Sequence, residues 1–517
     1  MSIEAWISLL IILFVIAGAA YDVEMSREGR LLHSRAFRWR RLQNWFPMGV
    51  AYAAFYMARY NVAAGNISSV RDQLNFTSSF MGWVISAGSW SYAVSAPFTG
   101  QITDRIGSKN GMMVACLGAA LCNLALGVLF LGTAPLWLEQ TLFVFLYAAN
   151  VLIQGFGTSA VVKINAAWYS PTERGLFAGV FNIMLTSGYF LSLGTGSTII
   201  SSLGWAYVFI IPGMMLVLMS FAIMCVVQNK PPHELSDKAT NTSISSEEDV
   251  VVVKPAGPPP SEQMKRLMAN PTFLGYLAAV FFLCWARDGF LNWFLSYFDA
   301  VRAEPLTPAD NSIIGGAWTI GGFVGGILCG WVSDVFFNSD RVMPIFIFSI
   351  MQAVLLGAVY FCSATCSVEF LGIIVFFASV FLLGNYTLLS YTVPSDLPQD
   401  IAAGAAGIMT AVGYFSTGLS GAFMGNVIGS GGYRTWALSL MVASILAGIF
   451  TALGSYFSTE DGMIPEEDMV VLDPSTELTP LSSSTSQRQR RASIVQLSAD
   501  FIASPLPRLP STAPIEP

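Results

Sequence analysis

Charge is scarce in this chain: Asp, Glu, Lys and Arg make up 11% of its 517 residues, against 54% hydrophobic and 13% aromatic residues. That balance excludes a soluble globular fold of this length, in which about a quarter of the residues are charged. Histidine is scarcer still. Its two copies, His33 and His233, lie outside the apolar runs, and no nucleophile and base pair, metal cluster or phosphate-cradling loop accompanies them. An enzyme is therefore not expected, and no cofactor is implied. The seven cysteines fall within or at the edges of apolar segments without metal-ligand spacing and read as packing residues, with Cys362 and Cys366 close enough to pair at a loop. The net charge of -7 comes largely from acidic stretches between and after the apolar runs, and nothing points to nucleic acid.

What the chain does have is a series of apolar runs, each about 20 residues long, enough to cross a hydrocarbon core of roughly 30 Å. Twelve follow residue 44, over 45–66, 80–102, 111–131, 141–167, 175–200, 205–227, 271–298, 311–336, 342–362, 368–394, 401–428 and 434–457. A further run, Trp6 to Ala20, precedes them. Its Ala17-Gly18-Ala19-Ala20 end resembles a signal-peptidase site, but no basic residue precedes it, and Arg27, Arg30, Arg35, Arg38, Arg40 and Arg41 follow. A basic cluster of this density stays cytoplasmic, so the first run is expected to be an uncleaved helix with its N-terminus outside.

The chain divides accordingly into an extra N-terminal transmembrane helix (1–21), a basic cytoplasmic segment (22–44), a six-helix half (45–228), a linker (229–270), a second six-helix half (271–457) and a tail (458–517). The linker and tail, rich in Ser, Thr, Glu and Pro, bury too little apolar surface to fold alone and are expected to be disordered and cytoplasmic. The fold class expected is all-α and integral to a membrane, either the plasma membrane or an endomembrane.

The halves repeat each other. Arg59 and Arg287 lie 228 residues apart, Gly100 and Gly330 lie 230 apart, and Asp104 and Asp334 keep that second spacing. Ionisable groups deep in apolar segments are few: Arg59, Arg287, Asp288 beside it, and Lys163 toward the end of the fourth core run. Each costs a few kcal/mol at the bilayer centre, so each is expected to be paired or functional. Three cations against one anion leave an excess of about two positive charges, which a small anionic metabolite would neutralise. Arginine suits phosphate or carboxylate because its planar fork donates parallel hydrogen bonds and keeps its charge. Tyr52, Tyr56 and Arg59 recur at i, i+4 and i+7 and share one helix face. The alternative is that Asp288 pairs permanently with one arginine while the tyrosines simply pack. Polar residues such as Asn61, Asn150, Gln154, Asn292, Asn385 and Tyr414 suit a substrate's hydroxyls or hydrogen bonds between helices equally well.

Gly100-Gln101-Ile102-Thr103-Asp104-Arg105-Ile106-Gly107-Ser108-Lys109 matches the G-x-x-x-D-R-x-G-x-K signature of the major facilitator superfamily, and Gly330-Trp331-Val332-Ser333-Asp334 echoes it. The expected role is a turn with tight packing at Gly100 and Gly107, Asp104 accepting hydrogen bonds or pairing with a cation across the interface of the halves, and Arg105, Gly330 and Asp334 sharing control of the conformational change. Within that superfamily, the runs Tyr52 to Asn61, Arg287 to Trp293 and Leu328 to Asp334 resemble the organophosphate:phosphate antiporters, which include glycerol-phosphate and hexose-phosphate transporters. Thr172-Glu173-Arg174-Gly175 and Ala402 to Gly407 fit as well, and the resemblance spans roughly residues 40–457.

The resemblance implies twelve core helices in two pseudo-symmetric halves around a central cavity. It further implies exchange of a phosphorylated organic anion for inorganic phosphate, with Arg59 and Arg287 as the phosphate clamp and Tyr52 and Tyr56 assisting. The chain departs from the glycerol-phosphate pattern at Ala96 and Ala167, where a lysine and a histidine stand, and at Thr319 and Asn292, where acidic residues stand; Lys163 lies one turn from Ala167 as a compensating cation. A non-transporting sugar-phosphate sensor and a transporter of a non-phosphorylated solute are the competing readings. The two-half design is expected to work as a monomer. Asn66 (Asn-Ile-Ser) and Asn75 (Asn-Phe-Thr) are glycosylation acceptor patterns in the loop after the first core helix, and Ser493 follows Arg490-Arg491-Ala492 in a basophilic kinase pattern.

Overall fold

The computed structural model describes residues 3–21, 34–169, 174–231, 260–338, 340–397 and 399–457, and among these every regular element is helical. The expected sites at Arg27, Arg30, Thr172, Glu173 and Ser493, the histidines, and most of the linker and tail lie outside the described residues.

The first half comprises α2 (Arg35–Ala64), the short α3 (Ser68–Leu74), α4 (Ser78–Ile106), α5 (Ser108–Leu131), α6 (Leu136–Trp168), α7 (Arg174–Tyr189) and α9 (Tyr207–Val226). α7 continues through a π turn, Phe190–Gly194, into α8 (Thr195–Leu203). α1 (Ile3–Tyr21) precedes this half, and α10 (Pro260–Ala269) leads into the second. The second half comprises α11 (Pro271–Leu291), α12 (Phe294–Val301), α13 (Pro308–Phe336), α14 (Val342–Cys362), α15 (Val368–Thr387), α17 (Gln399–Gly431) and α18 (Tyr433–Tyr456). α15 runs through a second π turn, Leu388–Thr392, into α16 (Val393–Ser395).

Local sequence places the helix starts. The side chains of Ser34, Thr77, Asn270 and Ser367 accept hydrogen bonds from first-turn amides, and Thr307 and Asp310 form a reciprocal capping box at α13. Outward faces expose residues such as Phe14, Val128, Phe145, Phe221 and Phe361, as a lipid-facing surface requires. Nine helical segments among the described residues are long and apolar enough to cross a membrane; α1 is shorter. The expected runs 45–66, 80–102 and 401–428 fall in α2, α4 and α17, which are helical but more polar. They are the helices that carry Arg59, Ser86, Ser89, Tyr92, Tyr414 and Thr417 inward.

Two tight seams join the halves. α4 meets α17 through small residues: a Cβ at Gly82 would lie 2.4 Å from the Gly421 carbonyl oxygen, and one at Gly425 would lie 2.6 Å from that of Ser78. Such residues let helix backbones approach closely. The second seam sets the π turn at Gly194 against α13, where Ser312 donates to the Gly194 carbonyl at 2.7 Å. α1 lies over this seam and touches both α7 and α13, with Ser8 packed against Gly316.

Candidate functional site

The two arginines are both buried within helices, in different surroundings. Arg59, from α2, is buried; its Nε and Nη2 donate to the Gln154 Oε1 on α6 at 3.0 and 2.9 Å, and its Nη1 donates to the Tyr414 hydroxyl on α17 at 2.8 Å. The rings of Tyr92, Tyr56 and Tyr414 surround its guanidinium, with centroids at 4.5, 5.3 and 5.8 Å. A polar chain holds Gln154 in place. Its amide donates to the Asn150 Oδ1, Asn150 donates to the Ala58 carbonyl, Asn123 bonds Asn150, and Asn61 bonds Asn123. Asn61 and Asn150 thus serve as hydrogen bonds between helices. The Tyr147 hydroxyl donates to the Arg59 carbonyl at 2.7 Å.

Arg287, from α11, has a carboxylate instead. Its Nε and Nη2 bond the Asp288 Oδ1 and Oδ2 at 3.2 and 2.7 Å, and its guanidinium sits 3.8 Å above the Tyr386 ring. Thr417 donates to the same Oδ2 at 2.5 Å, and the Tyr60 hydroxyl reaches Oδ1 at 3.5 Å. The Asn292 amide donates to the Asp288 carbonyl at 2.8 Å. A cavity of about 20 Å³ lies between the arginines' surroundings, lined among others by Arg59, Tyr60, Asp288, Asn292, Tyr414 and Thr417. That volume holds one water, not a phosphate ester.

The charge count from sequence needs correction. Lys163 does not join the arginines: its Nζ donates to the Asp104 Oδ1 at 3.1 Å and to the Asp104 and Thr103 carbonyls at 2.9 and 3.3 Å, at the helix ends. It therefore does not replace the histidine missing at Ala167. With Lys163 paired to Asp104 and Arg287 to Asp288, the excess among these four groups is one positive charge, on Arg59, rather than two. Tyr52 and Tyr56 do line the same side of α2. The Tyr52 hydroxyl shares Thr158 with Tyr92 at 2.8 and 2.6 Å, while the Tyr56 ring packs on Tyr60 and Tyr189.

The signature loop also differs from expectation. Asp104 pairs within its own half, not across the interface, and Asp334 does the same with Arg341 at 2.7 Å; Arg341 also grips Asp396 at 2.9 Å. Arg105 is exposed at the end of α4. Gly107 is required by its backbone, φ 87°, where it ends α4 and begins α5. Gly100 and Gly330 are not tightly packed: a Cβ at Gly100 would meet only Ser159 at 3.8 Å, and one at Gly330 nothing within 4 Å. Asn66 is fully buried, donating to the Asn292 carbonyl at 3.1 Å and accepting from Arg71 at 3.0 Å, so it presents no amide to a glycosylating enzyme. Asn75 is exposed in a left-handed cap after α3.

Sequence reading passed over the residues that close one end. Arg71 donates to the Ser296 hydroxyl at 2.7 Å, and the Ser68 amide donates to Asp299 at 2.9 Å. Along with Asn66 to Asn292, Tyr60 to Asp288, Ser86 to Gly418 and Trp90 to Phe415, these bonds join the halves from the arginines to the α3 end. No hydrogen bond between described residues joins the halves at the Asp104 and Asp334 end. Arg71 lies on the seven-residue α3, too short to show a periodic pattern that would mark it.

These features are those of a two-half membrane carrier, and the family description Major Facilitator Superfamily matches residues 48–421. The chain belongs to that superfamily, and within it resembles the organophosphate:phosphate antiporters. It is 26% identical to the glycerol-3-phosphate transporter of Bacillus subtilis over 434 residues, covering 81% of this chain and 93% of that protein. It is 23% identical to the membrane sensor protein UhpC of Salmonella typhimurium over 428 residues, covering 81% and 91%. A bacterial homolog of the human lysosomal transporter Spinster, solved inward-facing and unoccupied, shares the fold with a TM-score of 0.61 at 14% identity, over 86% of this chain and 100% of that one.

Proposed function

We propose that the protein is a secondary antiporter that exchanges a small phosphorylated organic anion for inorganic phosphate by alternating access. The observation that carries this reading is Arg59: a guanidinium 6% exposed, mid-helix, whose hydrogen-bond partners are the neutral Gln154 and Tyr414. A buried charge without a counter-ion is costly, and an arriving anion relieves that cost. Arg287 supplies the second half of the grip by loosening its hold on Asp288. Tyr52, Tyr56 and Asn292 border the path.

Basic residues gather at the end away from α3, including Arg35, Arg40, Arg105, Lys109, Lys265 and Arg266, which supports a cytoplasmic orientation for that end. The α3 end is then external and latched, which supports an inward-facing reading of this state. Opening outward breaks Arg71–Ser296, Ser68–Asp299 and Asn66–Asn292 and brings the motif ends of the halves together. The seams lie within one chain, in keeping with a functional monomer.

The test is uptake of labelled phosphate into liposomes that contain the purified protein and are preloaded with phosphate, beside Arg59→Lys. Uptake that disappears in the variant supports exchange. A folded wild-type protein that binds phosphate without flux favours a sensor, the reading that similarity to UhpC keeps in view. Absence of phosphate competition against any bound solute would favour a non-phosphorylated substrate.

A further inference from the structure

We propose that Asp288 takes up a proton when phosphate binds, coupling exchange to the movement of a proton. This rests on the phosphate-exchange reading and adds to it. The empty site carries two guanidinium charges and one carboxylate, a net of one positive charge. A phosphate monoester at neutral pH carries about -1.5 to -2. A dianion would therefore leave the occupied site with an excess negative charge in a membrane interior, where such a charge is costly to enclose. One proton on Asp288 brings the occupied site to neutrality.

Geometry favours Asp288 as the acceptor. Phosphate that engages Arg287 competes with Asp288 for the same Nη2, and a carboxylate 1% exposed that loses its cation is left as a costly unpaired buried charge. Its other close partner is ready for the change. The Thr417 hydroxyl lies 2.5 Å from Asp288 Oδ2 and 3.1 Å from the Gly413 carbonyl. It donates to the carboxylate when Asp288 is ionised; when Asp288 is protonated, it donates to Gly413 and accepts the carboxyl proton. The cavity of about 20 Å³ at Asp288 has room for the water that delivers the proton.

Competing acceptors around Asp288 are weak. α2 contributes Arg59 and Tyr60, α6 Tyr147, α7 Tyr189, α15 Tyr386 and α17 Tyr414, while Arg287 and Cys284 share its own helix. Arginine does not release its proton, and neither the phenols nor the thiol are bases at neutral pH. Asp288 is the one carboxylate in this set.

The experiment counts protons taken up as inorganic phosphate binds the purified full-length chain at pH 8, from binding enthalpies in two buffers of different ionisation enthalpy. About one proton per phosphate is expected in the wild type, and none in Asp288→Asn, whose amide cannot accept it. In liposomes, an acid exterior should speed wild-type uptake several-fold relative to equal pH, and Asp288→Asn should lose that dependence. Phosphate binding without proton uptake overturns the coupling alone, as does equal uptake in the variant, which would put the proton on the phosphate itself. No phosphate binding and no exchange at equal pH would overturn the exchange reading as well. If Asp288→Asn fails to fold, Thr417→Val decides: its hydroxyl bonds Asp288 in either protonation state, so a changed proton count is expected if the proton goes to Asp288, and an unchanged count would put it on the phosphate and overturn the proposal.

Discussion

Arg59 and Arg287 occupy corresponding places in the two halves yet have been solved differently by the surrounding sequence. Arg287 carries its counter-ion one residue along the helix and is neutralised bidentately. Arg59 is held by a glutamine, a tyrosine and a cage of rings, none of them charged at neutral pH. One arginine is thus ready for an anion, while the other must exchange one anion for another. A pseudo-symmetric pair need not form a symmetric clamp: Arg59 supplies attraction, and Arg287 with Asp288 supplies a switch.

Alanine substitutions should separate these roles most sharply. Arg287→Ala leaves Asp288 buried without its cation, for which a loss of about 3–5 kcal/mol of stability is expected, read as a large fall in thermal midpoint of the purified protein. Arg287→Ala combined with Asp288→Ala should recover most of that loss. Arg59→Ala removes a charge that has no ionic partner and should cost less, about 1–3 kcal/mol from the unpaired Gln154. Equal destabilisation by the two single variants would show that Asp288 serves both arginines. Lysine substitutions shift the comparison to transport. Arg59→Lys should reduce exchange by about 100-fold or more, because an ammonium cannot replace the fork that reaches Gln154, Tyr414 and the substrate together. Arg287→Lys keeps the ion pair with Asp288 and should retain measurable exchange, reduced by about tenfold. A reversed order would make Arg287 the primary anion site.

A smaller effect is expected at Tyr386, whose ring covers Arg287 at 3.8 Å. Tyr386→Leu should weaken phosphate binding by roughly three- to thirtyfold, in line with a desolvated cation–π contact of about 0.5–2 kcal/mol.

The helical architecture could be read from sequence because lipid makes long apolar runs obligatory, and the expected runs are helical nearly throughout, the run 271–298 being divided between α11 and α12 and the runs 175–200 and 368–394 crossing π turns. The two arginines stood out for the same reason, since a charge within such a run is conspicuous. Their partners did not. Asp288 was visible beside Arg287, but its choice of Arg287 over Arg59 depends on side-chain direction, not spacing. Lys163 looked like a cavity residue because its position falls near the end of an apolar run, where a long side chain can reach the polar boundary as easily as the core. The Cβ-free approach expected at Gly100 is absent, whereas Gly107 is fixed by a positive φ that sequence position alone does not reveal.

Lys163 therefore provides the last and smallest test of the asymmetry. Its ammonium contacts Asp104 at 3.1 Å, 36% exposed against 75% for the aspartate, a pair of the kind that contributes little stability. Were Lys163 part of the anion site, Lys163→Gln would weaken phosphate binding about as strongly as a lost charged contact, roughly tenfold or more. With the excess charge on Arg59 alone, equilibrium phosphate affinity should change by less than about twofold, since screened charges beyond about 10 Å contribute little. Any effect should instead fall on the rate of exchange, because Asp104 and Lys163 lie at the end where the halves must meet when the α3 end opens. Asp104→Asn should reproduce that kinetic effect without altering affinity, and a matched pair of rate changes at constant affinity would assign the motif to the conformational step rather than to the substrate.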